Sequence, residues 1–195
     1  MPKHIKKSLI ILLFAVVILS ACSTDTSDWN VFAIEEEPAI DIQFRLPPDW
    51  RVDYAPTPSV PGQWEVLLLP PRCSSDQEID FADNCVSLNI NIKNQGVFDK
   101  ENFLTTVSKS MSLNQSGTEK TTLMGQDTFT LDGLTVQRFN HKLYIGEQEV
   151  QLLIQFFETD NAFYTFMSEF PYEERDGKTA QEYDLLIESI EQIDS

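Results

Sequence analysis

Residues 121–170 are a run of strand-like segments that are separated by short turns. Asp132-Gly133 stands between two such segments in "TFTLDGLTVQRF", which is a strong hairpin signal. Further turns are predicted around Gly146 and at Asp160-Asn161. Because short turns return each strand beside the previous one, the region is predicted to form an antiparallel meander. Val150 to Phe157 are apolar on both faces, so we expect a central strand that is covered on both sides.

Shorter strands are predicted before this meander. Apolar and polar residues alternate over residues 40–46 and 86–92, and both segments are expected to be strands. The apolar segment 64–69, which is closed by prolines, is expected to be another. In the first strand Asp41 falls on the polar face, opposite the face of Ile42. The segment "RVDYAPTPSVPG" is predicted to be a loop, because proline cannot donate to a strand ladder.

Two segments have helical spacing instead. In "DKENFLTTVSKSMSL", Asp99 is expected to accept the first free amide hydrogens of a helix. Near the C terminus, Thr179 and Glu182 have capping-box spacing. The apolar stripes of the two helices are Phe103, Leu104, Val107 and Met111, and then Tyr183, Leu186, Ile187, Ile190 and Ile193. The predicted fold class is α+β, with an antiparallel sheet flanked by helices.

The N-terminal segment has the organisation of a bacterial lipoprotein signal. Three lysines precede the apolar core Leu9 to Leu19, which is too short for a comfortable bilayer span. The core ends in Leu19-Ser20-Ala21-Cys22, where small residues suit a narrow protease cleft. We predict that residues 1–21 are removed and that Cys22 is acylated. The alternative is an ordinary signal peptide or a membrane anchor with an incidental cysteine.

This signal leads to an expected organisation and location. Residues 22–38 are predicted to carry the lipid and the tether, and residues 39–195 to form one domain. Trp29, Val31, Phe32 and Ile34 are too apolar for a pure linker and are expected to pack onto the body. Ser23 follows the cysteine, which favours the outer membrane, facing the periplasm, if the organism is Gram-negative.

Apart from Cys22, the chain has two cysteines, Cys73 and Cys85, which an exported protein would expose to an oxidising compartment. They are predicted to form a disulfide, and the alternative is a pair of metal-ligating or redox thiols. Between them, Asp76, Glu78 and Asp80 mimic the first ligands of a calcium loop. Phe81 occupies the position that requires glycine, so no metal site is predicted.

The formal net charge of the chain is −17, and loss of the signal lysines makes it more negative. A surface of this sign excludes nucleic acid as a partner and favours a basic protein. The alternative is that the acids only keep a tethered domain soluble.

The search for catalytic residues predicts no enzyme and no cofactor. After signal removal His141 is the only histidine, and a surface or cross-strand role is expected for it. The chain has neither a G-x-S-x-G nucleophile elbow nor a phosphate-binding loop. Trp50, Tyr54 and Trp64 flank the proline-rich loop, where they either line a binding cleft or belong to the core.

Four short motifs resemble the PsbP-like superfamily, to which DcrB-type bacterial lipoproteins belong. They are Phe44-Arg45-Leu46-Pro47-Pro48-Asp49-Trp50, Gly133-Leu134-Thr135-Val136, Tyr164-Thr165-Phe166 and Ile187-Glu188-Ser189-Ile190. Asp49 departs from the glycine that is frequent before the tryptophan, and the segment between Cys73 and Cys85 resembles a local addition.

The resemblance implies an α/β/α sandwich and no particular activity. With the lipid signal, it leads us to expect a non-enzymatic envelope lipoprotein that binds or assembles proteins. Two alternatives are an immunity-type inhibitor of a toxic envelope-targeted enzyme and a small-ligand receptor.

Overall fold

The computed structural model describes residues 26–71, 73, 85–109, 121–145 and 147–193. Within these residues the chain forms strands that pair throughout in antiparallel fashion, and two α-helices. The strands are β1 (Asn30–Ala33), β2 (Ile42–Leu46), β3 (Arg51–Pro56), β4 (Gln63–Leu69), β5 (Val86–Ile92), β6 (Thr122–Leu131), β7 (Leu134–Ile145), β8 (Gln148–Glu158), β9 (Ala162–Pro171) and β10 (Glu191–Gln192). The helices are α1 (Lys100–Val107) and α2 (Lys178–Glu188), and a 3-10 turn spans Tyr172–Glu174.

The strands form two sheets, and the larger one contains the predicted meander. Its order is β3-β4-β5-β9-β8-β7-β6, so the four strands from β6 to β9 are successive neighbours. Asp132 and Gly133 both have positive φ, 42° and 83°, as a two-residue hairpin turn requires. The meander is therefore confirmed, although β9 and not β8 is the middle strand. The smaller sheet has the order β1-β2-β10.

Each face of the large sheet carries part of the core. The main core lies between one face and the layer formed by the small sheet and α2, and Phe44, Tyr164 and Tyr183 are among its fully buried side chains. On the opposite face, Val107 of α1 packs against strands β7 and β8. The prediction of a sheet flanked by helices is thus matched in part, because a second sheet shares one layer with α2.

The first helix begins as its sequence predicts. The carboxylate of Asp99 accepts a hydrogen bond of 2.9 Å from the backbone N–H of Asn102. Phe103 and Leu104 pack against the cluster that contains Val107. Met111, the last residue of the predicted stripe, lies outside the described residues.

The proline-rich segment 51–62 is not a loop throughout, because its first half is β3. In an antiparallel pair, every second residue forms backbone hydrogen bonds to the neighbouring strand. The N–H of Thr57 bonds to the carbonyl of Gln63 at 2.7 Å, so the residues of β3 that bond to β4 are those at even distances from Thr57. The nitrogen of Pro56 therefore points away from β4, so its missing N–H removes no ladder bond.

The C-terminal helix differs from the prediction at both ends. Gly177 and not Thr179 precedes its first residue, and no side chain caps it, so the capping box does not form. The helix ends at Glu188, and the chain then pairs with β2 through β10. Ile190 and Ile193 consequently lie beyond the helix, although Ile190 is still buried in the main core.

The predicted signal and the lipidation site Cys22 lie outside the described residues. Residues 30–33, which the sequence places in the tether, form β1 along β2. No described helix is long and apolar enough to cross a membrane.

Candidate functional site

The surface around Tyr54 on β3 combines a half-exposed aromatic ring with carboxylates. The ring is 37% exposed and lies 5.6 Å from that of Phe32 and 6.5 Å from that of Trp64, between centroids. Its hydroxyl donates a hydrogen bond of 3.0 Å to the Oε1 atom of Glu36. Phe32 belongs to β1, Trp64 to β4 and Glu36 to the segment that follows β1, so contacts from three segments fix the orientation of this ring.

Four exposed acids lie around this part of β3, two on the face of the ring and two on the opposite face of the sheet. Glu35 and Glu36 belong to the β1–β2 connection, while Asp53 and Glu65 lie on β3 and β4. We call Tyr54 and these four acids the β3 surface. The pKa of Tyr54 is raised, first by its hydrogen bond to Glu36 and then by the charges of Glu36 and Glu35. The phenol therefore stays protonated at neutral pH.

An open cavity of about 210 Å³ lies within the β3 surface. Its walls come from β3, β4 and the turn that follows β3. They are formed by Asp53, Tyr54, Ala55, Pro56, Thr57, Pro58, Glu65 and Leu67. Two carboxylates and aliphatic carbon suit a long cationic side chain, whose stem is apolar and whose head is charged.

The structure separates Trp50 from the other two residues of the predicted cleft. The indole of Trp50 is 7% exposed and belongs to the main core. Its Nε1 atom donates to the Oε2 atom of Glu182 on α2, at 3.2 Å. Tyr54 and Trp64 are stacked, so two of the three residues lie together, and their role in binding stays a prediction.

A second, larger depression was not predicted from the sequence. An open groove of about 630 Å³ lies beside α2, over β6, β7 and β8. The guanidinium of Arg138 crosses it and donates bonds of 2.9 Å and 2.6 Å to the carboxylate of Asp127. At one end Arg175 and Lys142 lie over the ring of Tyr172, at 4.5 Å and 4.9 Å. This α2 groove carries paired charges of both signs, which suits a small polar ligand.

His141 is fully buried, which corrects the expectation of a surface or cross-strand role. Its Nε2 atom lies 2.8 Å from the carbonyl of Val107 at the end of α1, and its Nδ1 atom has no hydrogen-bond partner. Burial lowers the pKa of His141. The neutral ring therefore donates from Nε2 and connects α1 to β7. This contact indicates a structural role.

Asp41 is 2% exposed, which corrects its placement on the polar face of β2. Its Oδ1 atom accepts hydrogen bonds of 2.7 Å from both Thr159 and Tyr164. Its Oδ2 atom accepts from Asn161 at 3.0 Å and from Gln192 at 3.3 Å. The donors come from β9, β10 and the β8–β9 turn, so this buried carboxylate joins the two sheets.

The cysteine and metal predictions have different outcomes. Cys73 and Cys85 form a disulfide with an S–S distance of 1.97 Å. The acidic segment between them, with Asp76, Glu78 and Asp80, lies outside the described residues. In the described ranges, no cluster of three His, Cys, Asp or Glu side chains is arranged to hold a metal ion.

No protein-family model matches the chain, and no curated protein matches it. Among solved structures, it is similar to the cyanobacterial PsbP (CyanoP) of Synechocystis sp. PCC 6803. The two share 12% sequence identity with a TM-score of 0.55, over 84% of this chain and 91% of CyanoP. This similarity shows that the chain has a PsbP-like fold, while the likeness to DcrB-type lipoproteins stays a prediction.

Two further structures are similar at 9% identity. One is a protein of Bacteroides thetaiotaomicron, with a TM-score of 0.48 over 86% of this chain and 49% of that one. The other is LpqN of Mycobacterium tuberculosis, which is involved in cell envelope biogenesis, with a TM-score of 0.47 over 85% and 91%.

Proposed function

We propose that this chain is a lipid-anchored, non-enzymatic binding protein of the bacterial cell envelope, and that its β3 surface binds a basic protein. The signal that ends at Cys22 supports the location. The observation that carries the binding role is that exposed acids occupy both faces of the sheet at β3. Two of the four lie beside the half-exposed ring of Tyr54, and the other two lie on the opposite face. The overall charge of −17 supports the same sign of partner.

The nearby described cation does not neutralise the β3 surface. Arg51 lies at the opposite end of β3 from Pro56, and its guanidinium donates to the carbonyl of Cys73 at 3.4 Å. Exposed ion pairs contribute only about 0.2–1 kcal/mol each, so the acids are expected to set the rate of encounter. The ring of Tyr54 and the exposed side chain of Val60 supply the apolar contact that slows dissociation.

The position of β1 favours action close to the membrane. Phe32 of β1 contacts the ring of Tyr54, and β1 starts eight residues after Cys22. Eight extended residues span at most about 29 Å. A lipid on Cys22 would therefore hold the β3 surface near the bilayer, where a partner arriving in the envelope meets it.

The test compares two triple variants that remove the same number of negative charges. The first neutralises acids of the β3 surface, by Glu36→Gln, Asp53→Asn and Glu65→Gln. The control neutralises exposed acids elsewhere, by Asp132→Asn, Glu173→Gln and Glu188→Gln. Both are expressed as tagged, lipidated chains, cross-linked in the envelope and purified.

A partner with a basic surface is expected with the native chain and the control, but not with the β3 variant. Its association rate should fall about tenfold between 50 mM and 500 mM salt, with a smaller change in dissociation. Equal capture by both triple variants, or an association rate that does not depend on salt, would contradict the proposal. If this basic partner is a toxic enzyme, the protein acts as an immunity-type inhibitor.

The α2 groove favours a second candidate function, that of a small-ligand receptor. Its volume of about 630 Å³ and its paired charges suit a polar molecule. A thermal-shift screen of the native chain and of Arg138→Met would test this function. A ligand of the α2 groove should stabilise the native chain and lose its effect in the variant.

A further inference from the structure

We propose that the basic partner presents an extended segment, and that this segment adds as a new strand to the open edge of β3. The inference rests on the proposed function, since it specifies how the β3 surface binds its partner. It depends on the backbone of β3, on the cavity beside it and on the distribution of acids around it.

The backbone of β3 leaves hydrogen-bonding groups on its outer side. β3 is at the end of the large sheet, and β4 is its only strand neighbour in the described part of the chain. The Thr57–Gln63 bond places Asp53 and Ala55 in the ladder with β4. The N–H and C=O groups of Val52 and Tyr54 therefore point to the open side, where an added strand could bond to them.

The side chains around this edge match a strand with basic residues. Successive side chains of an added strand point to opposite faces of the sheet. On one face they meet Asp53 and Glu65 in the 210 Å³ cavity, which holds one long side chain. On the other face they meet Val52 and the ring of Tyr54, beside Glu36.

The other edge of the large sheet lacks this complementarity. β6 has ten residues, but a bulge interrupts its pairing with β7 between Leu123 and Gly125. Asp127 is the only acid of β6, and Arg138 already neutralises it through a bidentate ion pair. β3 is therefore the edge on which a basic strand finds both free backbone groups and unpaired acids.

The test uses the mature, full-length chain and a synthetic probe, Ac-Lys-Val-Lys-Val-Lys-Val-Lys-NH2. Two further probes carry N-methyl groups, either on all valines or on all lysines. Alternate residues of an added strand direct their N–H groups to β3, so one methylated probe should lose at least tenfold in affinity and the other should bind like the parent. An antiparallel addition predicts loss with the valine probe, and a parallel addition with the lysine probe.

Hydrogen exchange gives an independent measurement of the same contact. The amides of Val52 and Tyr54 should exchange more slowly in the complex, whereas a charge contact that involves side chains alone would leave their rates unchanged. The inference is overturned if both methylated probes bind equally, if the two amides are unaffected, or if the parent probe does not bind at millimolar concentration.

The failure of this inference differs from the failure of the proposed function. If a basic envelope protein is captured through the acids of the β3 surface, but the probes show no asymmetry, the proposed function holds and strand addition is wrong. The control variant, in which Asp132, Glu173 and Glu188 are neutralised, should bind the parent probe within about twofold of the native affinity, since these residues lie outside the β3 surface.

Discussion

The carboxyl group of Glu169 is expected to make the stability of this protein depend on pH. Glu169 lies on β9 opposite Leu152 of β8, and its backbone N–H bonds to the carbonyl of Cys85 at 3.4 Å. Its Oε2 atom is buried and has no hydrogen-bond partner. Burial raises the pKa of Glu169 from 4.5 to about 7.

The direction of the effect follows from proton binding. Between pH 4.5 and pH 7 the folded chain holds a proton on Glu169 that the unfolded chain has released. The resulting stability is fully present below pH 4.5 and is lost as the pH rises through 7. At 1.36 kcal/mol for each pKa unit, the loss is at most about 3 kcal/mol, and exposure of part of the side chain reduces it.

The substitution Glu169→Gln removes the ionisation and keeps the shape. The cost of burying the amide does not change with pH. The free energy of unfolding of the variant should therefore increase relative to that of the native chain as the pH rises. We expect the difference in free energy of unfolding to increase by about 2–3 kcal/mol between pH 5 and pH 8. His141 titrates in both proteins, so its contribution cancels in the difference.

Urea unfolding at pH 5, 6, 7 and 8 measures this difference, with the fluorescence of the buried Trp29 and Trp50 as the signal. The exposed Glu173→Gln is the matched control, because it removes the same charge from the surface. Its difference from the native chain should stay within about 0.5 kcal/mol over this range. If Glu169→Gln behaves like this control, the assignment of a buried carboxyl with a raised pKa to Glu169 is refuted.

Four other variants test separate parts of the structure. Asp41→Ala leaves two buried and two partly buried donors without their acceptor and should cost about 3–5 kcal/mol in urea unfolding; a cost below about 1 kcal/mol would contradict the network. Because burial lowers the pKa of His141, stability should fall as the pH decreases below about 6.5, and His141→Gln should flatten this part of the profile. Replacing Cys73 and Cys85 by alanine should cost about 3 kcal/mol, and alkylation should find both cysteines unreactive before reduction. Cys22→Ser should leave an unprocessed or mislocalised precursor, whereas a processed chain in the detergent phase would exclude lipidation.

Features of the fold that depend on neighbouring residues could be predicted from the sequence. The hairpin at Asp132-Gly133 is set by the backbone freedom of two adjacent residues, and the start of α1 by the carboxylate of Asp99. The strand β3 could not be recognised, because Pro56 is tolerated in a strand only at a sheet edge. Whether a segment lies at an edge depends on the order of all the strands, which no short segment contains.

The same distinction applies to the candidate site. The sequence groups Trp50, Tyr54 and Trp64 because all three flank the proline-rich segment, and the structure keeps Tyr54 and Trp64 together. Trp50 belongs to the core because its indole bonds to Glu182, 132 residues further along the chain. The α2 groove joins Arg138 on β7 to residues at the start of α2, and no local pattern brings these elements together.

The acids of the β3 surface also bear on how an open sheet edge would avoid pairing with a second copy of the chain. If two copies met edge to edge through β3, Glu36 and Asp53 of one would approach the same acids of the other. Like charges on opposing strands are destabilising, so the edge resists self-association. A basic strand would instead be attracted to this edge, because each of its cations reduces the electrostatic repulsion among these acids. The charge that keeps this edge open would therefore also select the strand that closes it.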